Sequence, residues 1–544
     1  MNHHTLISFS SLFSKTNSRS RLLWVNLFFL SYLLVGLGVY QDYGVSWDKP
    51  ISRSNGMITL KYLGEIFVPE YVVQDAALGR YPALADYIDK DYGVAYELPV
   101  SFLEKILHLD DSRDVYLLRH LTTFLVFFAG VFAFFQLAER RYLDWRLGLL
   151  GALILILSPR LFAESFYNSK DVVFMALFAI ALNTAVLFLQ NPTIRTACWH
   201  ALATAVLIDV RLMGVILPAA TLVVIALRLG RGEVALQKTL LSIFIYLILC
   251  VFLVIVFWPY LWSAPLDNFL QAFKNMANFR WNNPVRYFGE WVPATKLPWH
   301  YILVWFGIST PLAYIFTFFI GAITILRRLF QRRLSLWNSD AEWQDLLFLG
   351  LFVTPSVAVI ILNSVLYDGW RQMYFIYPAF VLVALHGLVV LFKWHLPHHS
   401  KIWLRIVSLG ALISFMATGG WMMRAHPYQN VYFNMAAGRN VKENFEVDYW
   451  GLSSREVLQY IVDNDRRSSI SVWPGSGIPL DRGILLLEPV DRKRLAVTDK
   501  EENADYVITQ FRWNLTDYGG GNRGYERFYQ IDVDEEAIIS VFKR

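Results

Sequence analysis

Charge is scarce in this chain, and that shortage decides its class. Only 17% of the 544 residues are charged while 56% are hydrophobic, and the mean hydropathy is +0.39, values outside ordinary soluble globular usage. The two cysteines, Cys198 and Cys250, lie at or within apolar runs, so neither a disulfide framework nor a thiolate metal site is on offer. There is no Walker loop, no dinucleotide glycine pattern opening a helix and no HExxH, which argues against ATP hydrolysis, hydride transfer and zinc proteolysis. No cofactor is required by any motif, and a divalent metal has no support. The net charge of +5 is mild and sits in particular loops, so it makes no case for nucleic acid. What is abundant is apolar and aromatic. Aromatic residues make up 16% of the chain, with tryptophans near the ends of apolar runs, where rings lie at headgroup level. The chain reads as a polytopic α-helical membrane protein.

Loop charge gives the expected topology. Residues 1–21 are polar and basic (Lys15, Arg19, Arg21) and form a cytoplasmic tail. The run Leu22–Tyr40 lacks a small-residue cleavage pattern after it and should stay as an anchor. An outer loop, 41–114, follows, with amphipathic helices expected on the membrane around Leu60–Phe67 and Val100–Leu107. Further spans are expected at Val115–Ala138, Leu147–Leu157 and Val172–Gln190, the last two joined by a tight outer turn, SPRLFAESFYNSKD. The apolar stretch Ala197–Leu227 is too long for one comfortable helix and is interrupted by Asp209 and Arg211. Two short helices turning at those residues keep Arg228, Arg231, Lys238, Arg327, Arg328, Arg332 and Arg333 inside. Spans at Leu240–Trp262, Tyr301–Leu326, Leu346–Leu366, Gln372–Phe392 and Ile402–Met423, with an outer loop at 263–298, bring the expected total to about eleven. The carboxyl terminus then lies outside. Residues 425–544 have soluble composition: SISVW and ADYVITQF read as buried strands and Ser453–Asn464 as a capped amphipathic helix, a small α/β domain.

On this topology one end of the membrane domain (22–424) collects ionisable residues. Asp42 and Asp48 follow the first span, Glu164, Lys170 and Asp171 stand at the second outer turn, Asp209 and Arg211 at the third, and Asp368 and Arg371 at a later one. Each has an ordinary alternative, as a helix cap or a snorkelling side chain. Together, at membrane depth where charge is costly, they point to a polar cavity opening outward. The 263–298 region and its approach add Trp258, Tyr260, Trp262, Arg280, Trp281, Arg286, Tyr287 and Trp291. Aromatic faces and guanidinium forks suit a sugar ring and a phosphate; an interfacial belt is the alternative.

Four motifs, GVSWDKP after the first span, SPRLFAESFYNSKD, WPYLW with the loop ending YFGEWVPATKLPWHYI, and YDGWRQMYFIYP, resemble those of the GT-C glycosyltransferases. More closely, residues 20–425 resemble the bacterial branch related to protein O-mannosyltransferases and to the aminoarabinose transferase of lipid A, and HPYQNVYFNMAAGRN with FEVDYWGLSSRE resembles the segment after its last span. The resemblance implies a polyprenyl-phosphate-linked sugar donor, a lipid, glycan or protein acceptor, inversion at the anomeric carbon, and action on the non-cytoplasmic face of a bacterial inner membrane. It implies Asp48 as the first-loop catalytic acid, Asp171 as the second acidic position and Arg371 as the residue meeting the lipid phosphate, with Arg211 where many relatives have Lys and Lys170 nearby. Relatives often have Glu after the first-loop acid, whereas Lys49 follows here, so the base is Asp48 or Asp42. Trp258, Tyr260, Trp262, Arg280 and Trp291 are the candidate sugar or acceptor contacts. Two other classes remain: a transporter or flippase of lipid-linked glycans, which also needs polar groups inside a helical bundle, and a polymerase or ligase using diphosphate-linked glycans.

Overall fold

The computed structural model describes residues 18–277, 279, 281, 283–332, 335–393, 400–513, 515, 518 and 524–544. Among them, nine helices are long and apolar enough to cross a membrane, from Arg19–Val39 to Ile402–Arg424. The pair Trp145–Ile156 and Pro159–Tyr167, bent by 73°, passes the same test only when taken together, as a broken span or a re-entrant loop. The eleventh expected span is the helix Ile194–Val210, whose 17 residues reach about 25 Å at the usual rise. The protein is thus a multi-pass helical membrane protein with a small C-terminal sheet domain.

One expected break holds and two expected elements change, each for a local reason. The break at Asp209 and Arg211 is real: Arg211 is extended, a single 3-10 turn covers Leu212–Val215, and a new helix runs Ile216–Gly230. The expected span Tyr301–Leu326 is instead two helices, Tyr301–Ser309 and Leu312–Gln331, because Pro311 cannot donate and holds Thr310 in the extended region. The expected outer turn at SPRLFAESFY is a helix, Pro159–Tyr167, with every residue buried. Proline at its first position favours that start.

The first outer loop is largely helical. A helix begins directly after Asp48 and runs Lys49–Phe67, and a second covers Glu97–Ile106. Ile66, Phe67, Phe102 and Ile106 stay exposed, as expected of helices lying in the membrane interface. The 263–298 region contains the helix Pro265–Ala277 and a hairpin pairing Pro284–Tyr287 with Glu290–Pro293.

The bundle core is the helix Tyr377–Lys393, buried on all sides from Tyr377 to Leu388. It crosses Leu312–Gln331 where Gly387 faces the Thr317 carbonyl and Gly321 faces the Val383 carbonyl. Small residues at such a crossing let two membrane helices approach backbone to backbone. At one end of the bundle Arg141 pairs with Asp345 at 2.6 Å, Arg21 with Glu139 at 2.6 Å and Arg228 with Glu233 at 3.1 Å. The polar cluster described below occupies the other end.

The C-terminal sheet has the order Leu495–Val497, Ile470–Pro474, Tyr506–Gln510, Glu536–Lys543, Glu526–Val533. Its first three strands are parallel and the last two pairings antiparallel. The helix Ser454–Asn464 buries Val457, Leu458, Ile461 and Val462. This domain grips the first outer loop. Trp47 N donates to Trp450 O at 3.3 Å, Arg455 Nη1 donates to Tyr43 O at 3.1 Å, and Gly44 lies against the Leu452 backbone, where a Cβ would collide.

Candidate active site

Asp48 occupies the N-cap position of the Lys49–Phe67 helix, yet its side chain makes no capping bond. It turns to Arg371, with Oδ2 3.3 Å from Nη2. Lys49 points the other way, buried, donating to Phe166 O at 3.1 Å and Thr123 Oγ1 at 3.4 Å. The adjacent cation therefore leaves Asp48 to Arg371.

Asp171 opens the helix Asp171–Gln190, where the helix dipole favours a carboxylate. Asn168 fixes it: Asn168 Oδ1 accepts from Asp171 N at 2.8 Å, and Asn168 Nδ2 donates to Asp171 Oδ2 at 3.1 Å and to Glu164 Oε2 at 2.7 Å. Asp171 Oδ2 accepts from Arg371 Nη1 at 2.9 Å, and its Oδ1 pairs with Arg211. Glu164, fully buried, accepts from the hydroxyls of Tyr374 and Tyr449, each at 2.8 Å. It anchors the bundle to the C-terminal segment instead of reaching Arg371.

Arg371 is 2% exposed, and Tyr367 and Trp450 lie against its guanidinium, at 4.7 and 4.5 Å to the ring centroids. Little of it is available beyond its edge, and three carboxylates share that edge. Asp368 is the third, accepting from Nη2 at 3.0 Å and Nε at 3.2 Å. Asp368 takes φ +56 with Gly369 at φ +73 behind it, a left-handed pair that Asp and Gly tolerate best. The turn lets its other oxygen pair with Arg512 of the C-terminal domain. Arg512 Nε also donates to Glu446 Oε1 at 3.0 Å and Nη1 to Tyr449 O at 2.7 Å. Burial pushes the Glu446 carboxyl up to about 7, against the Arg512 charge and with help from Asp368.

The result is a continuous chain of alternating charge, Asp48, Arg371, Asp171 and Arg211 on one branch and Asp368, Arg512 and Glu446 on the other. A cavity of about 200 Å³ lies against it, walled by Asp48, Asp368, Arg371 and Arg512 and by the rings of Trp47, Trp281, Tyr367 and Trp513. Trp281 stacks on Tyr367 at 4.6 Å, and Trp291 stacks behind Trp513 at 5.5 Å with the Arg286 guanidinium 4.5 Å from its ring.

Of the residues singled out in the sequence, Asp48, Asp171, Arg211 and Arg371 come together. Asp42 does not: it is exposed and pairs with His426 Nε2 at 2.8 Å. Lys170 lies over the Tyr92 ring at 4.6 Å. Trp258 is buried against Phe269, Tyr260 flanks it at 6.2 Å, and Trp262 donates to Ile255 O at 2.8 Å. None of these three lines the cavity. Trp291 reaches it only through Trp513, and Arg280 lies outside the described residues. Arg512, Glu446 and Trp513 escaped the sequence reading, although a repeat marks Arg512 and Trp513: Phe-Arg-Trp-Asn occurs at 279–282 and again at 511–514, and both tryptophans line the cavity. The expectation that the outer loops hold no Asp-x-Asp triplet is wrong, because Asp89-Lys90-Asp91 stands in the first outer loop. Asp91 accepts from Asn275 Nδ2 at 2.6 Å, tying that loop to the Pro265–Ala277 helix. Among the described residues, no three His, Cys, Asp or Glu side chains gather as a metal site.

No protein-family model matches the chain, and no curated protein matches it in sequence. Among solved structures, the crystal structure of ArnT from Cupriavidus metallidurans in the apo state aligns over 96% of this chain and 98% of that chain, at 13% identity and a TM-score of 0.49. The functional reading rests on the geometry of the cluster.

Proposed function

We propose that this protein is a membrane glycosyltransferase that moves a sugar from a polyprenyl-phosphate carrier to an acceptor hydroxyl or amine. The observation that carries this is the shared edge of Arg371: a guanidinium suited to phosphate and a partly exposed carboxylate, Asp48, stand side by side in a ring-lined cavity at one end of the bundle. A phosphate leaving group needs little protonation, so the protein must chiefly take the acceptor's proton and hold the charge that develops on the phosphate. Asp48 is the base, and Arg371 with Arg211 holds the phosphate. Trp281 and Trp513 give the sugar its faces. Asp171 fixes both arginines. One carboxylate acting once gives a single displacement and inversion.

The opposite end of the bundle carries Arg141, Arg228 and Arg231. The positive-inside rule supports the cavity and the C-terminal domain lying on the non-cytoplasmic face.

The test is donor class. Purified protein in detergent should transfer radiolabelled sugar from a polyprenyl monophosphate and fail with the matching diphosphate. Arg371→Ala should lose donor binding by about 2 to 5 kcal/mol while remaining folded. Transfer from the diphosphate alone would favour a polymerase or ligase, and vesicle translocation of the donor without transfer would favour a flippase.

A further inference from the structure

The three carboxylates on Arg371 are not equivalent. Asp171 and Asp368 each accept a hydrogen bond from it, are buried, and have a second cationic partner in Arg211 and Arg512. Asp48 makes the longest of the contacts, 3.3 Å, and its side chain is 26% exposed, facing the cavity. Its side chain makes no capping bond to the Lys49–Phe67 helix, where Asp48 already has helical φ and ψ and Pro50 offers no N–H, so the carboxylate is not held by the helix start. Because Tyr367 and Trp450 lie against the guanidinium and Arg371 is 2% exposed, an anion arriving from the cavity has little of it to reach beyond its edge. The Asp48 position is where that edge meets the cavity.

We propose that Asp48 holds the place of one phosphate oxygen on Arg371, and that the single phosphate of the lipid-linked donor displaces it, releasing the carboxylate to act as base. This rests on the function proposed above. Exchange of one carboxylate for one phosphodiester monoanion leaves the charge facing Arg371 unchanged, which fits a monophosphate donor better than a more highly charged diphosphate. The later step keeps the same balance. The acceptor oxygen forms its bond to the anomeric carbon while the bond from that carbon to the phosphate oxygen breaks with its electron pair. The acceptor's proton passes to Asp48, which becomes neutral as the departing phosphomonoester gains a negative charge. Donor binding thus switches the base on, and until then the base is held on Arg371.

The test is equilibrium binding of farnesyl phosphate at about pH 5, where a phosphomonoester with a second pKa of about 6 carries the single charge of the donor phosphodiester, with farnesol as the uncharged probe, read by tryptophan fluorescence on the full-length protein. Asp48→Asn removes the competing charge and should bind farnesyl phosphate at least about tenfold more tightly than wild type, as expected when a charge-assisted contact no longer has to be displaced. Farnesol affinity should not change. Asp48→Ser, neutral and too short to reach Arg371, should behave alike and serves if the asparagine variant does not fold, with thermal melting as the check. Equal or weaker farnesyl phosphate binding in a folded variant overturns the exchange, and so does an equal gain for farnesol. Transfer activity separates the two claims: if Asp48→Asn retains transfer, the base itself is wrong, whereas lost transfer with unchanged phosphate affinity sinks only the exchange.

Discussion

Glu446 is the residue where the charge balance of the site is set. The network contains three guanidiniums, Arg211, Arg371 and Arg512, and four carboxylates, Asp48, Asp171, Asp368 and Glu446. Arg512 is divided between two of those carboxylates, so it only partly offsets the burial that raises Glu446 from 4.5 to about 7. The raised value makes the folded protein bind this proton more tightly than the unfolded chain does. The stabilisation is therefore fully present below about pH 4.5 and is lost as pH rises through about 7. Thermal unfolding of Glu446→Gln across that window should show a flatter pH dependence than wild type. Parallel curves would contradict the assignment. Residues of this kind were only half legible. Asp48, Asp171 and Arg371 announce themselves because charge beside a membrane-length run is rare. Glu446 and Arg512 sit in a segment of ordinary soluble composition, where charge is common and carries no such signal.

At the level of helices, loop charge proved a good guide to crossings and a poor guide to what lies between them. It separated the two helices on either side of Arg211, since a single crossing would have put basic clusters on the wrong side. It was silent on Pro159–Tyr167, a helix of nine residues that is too short to cross a membrane by itself. It was also silent on the crossing of Leu312–Gln331 with Tyr377–Lys393, which depends on two isolated glycines. A side chain at Gly387 would run into the Thr317 carbonyl, so Gly387→Leu should cost about 1 to 3 kcal/mol as overpacking. Gly410, on Ser400–Arg424, has nothing within 4 Å, and Gly410→Leu should be close to neutral. Thermal melting in detergent compares the two. Equal melting temperatures for both variants would mean that the crossing tolerates separation.

For the molecule as a whole, the site is a meeting of distant parts: the first outer loop, the Asp171 helix start, the Asp368–Arg371 turn and the end of a strand in the C-terminal domain. The residues Asp171 and Arg371 are 200 positions apart and Asp368 and Arg512 are 144 apart, so the C-terminal domain is part of the cavity wall and no mere appendage. That partnership is what the sequence could not show, because soluble strands give no hint of the membrane loop they close over. The most direct test of the account is single-turnover transfer from saturating polyprenyl-monophosphate donor in wild type and in Asn variants of Asp48, Asp171 and Asp42. Asp48→Asn should lose about 10² to 10⁴-fold in rate, the range expected for a general base. Asp171→Asn should lose less, through the arginines it holds, and Asp42→Asn, on the His426 side, should transfer almost normally. Near-normal transfer in Asp48→Asn with severe loss in Asp42→Asn would contradict the account at its centre.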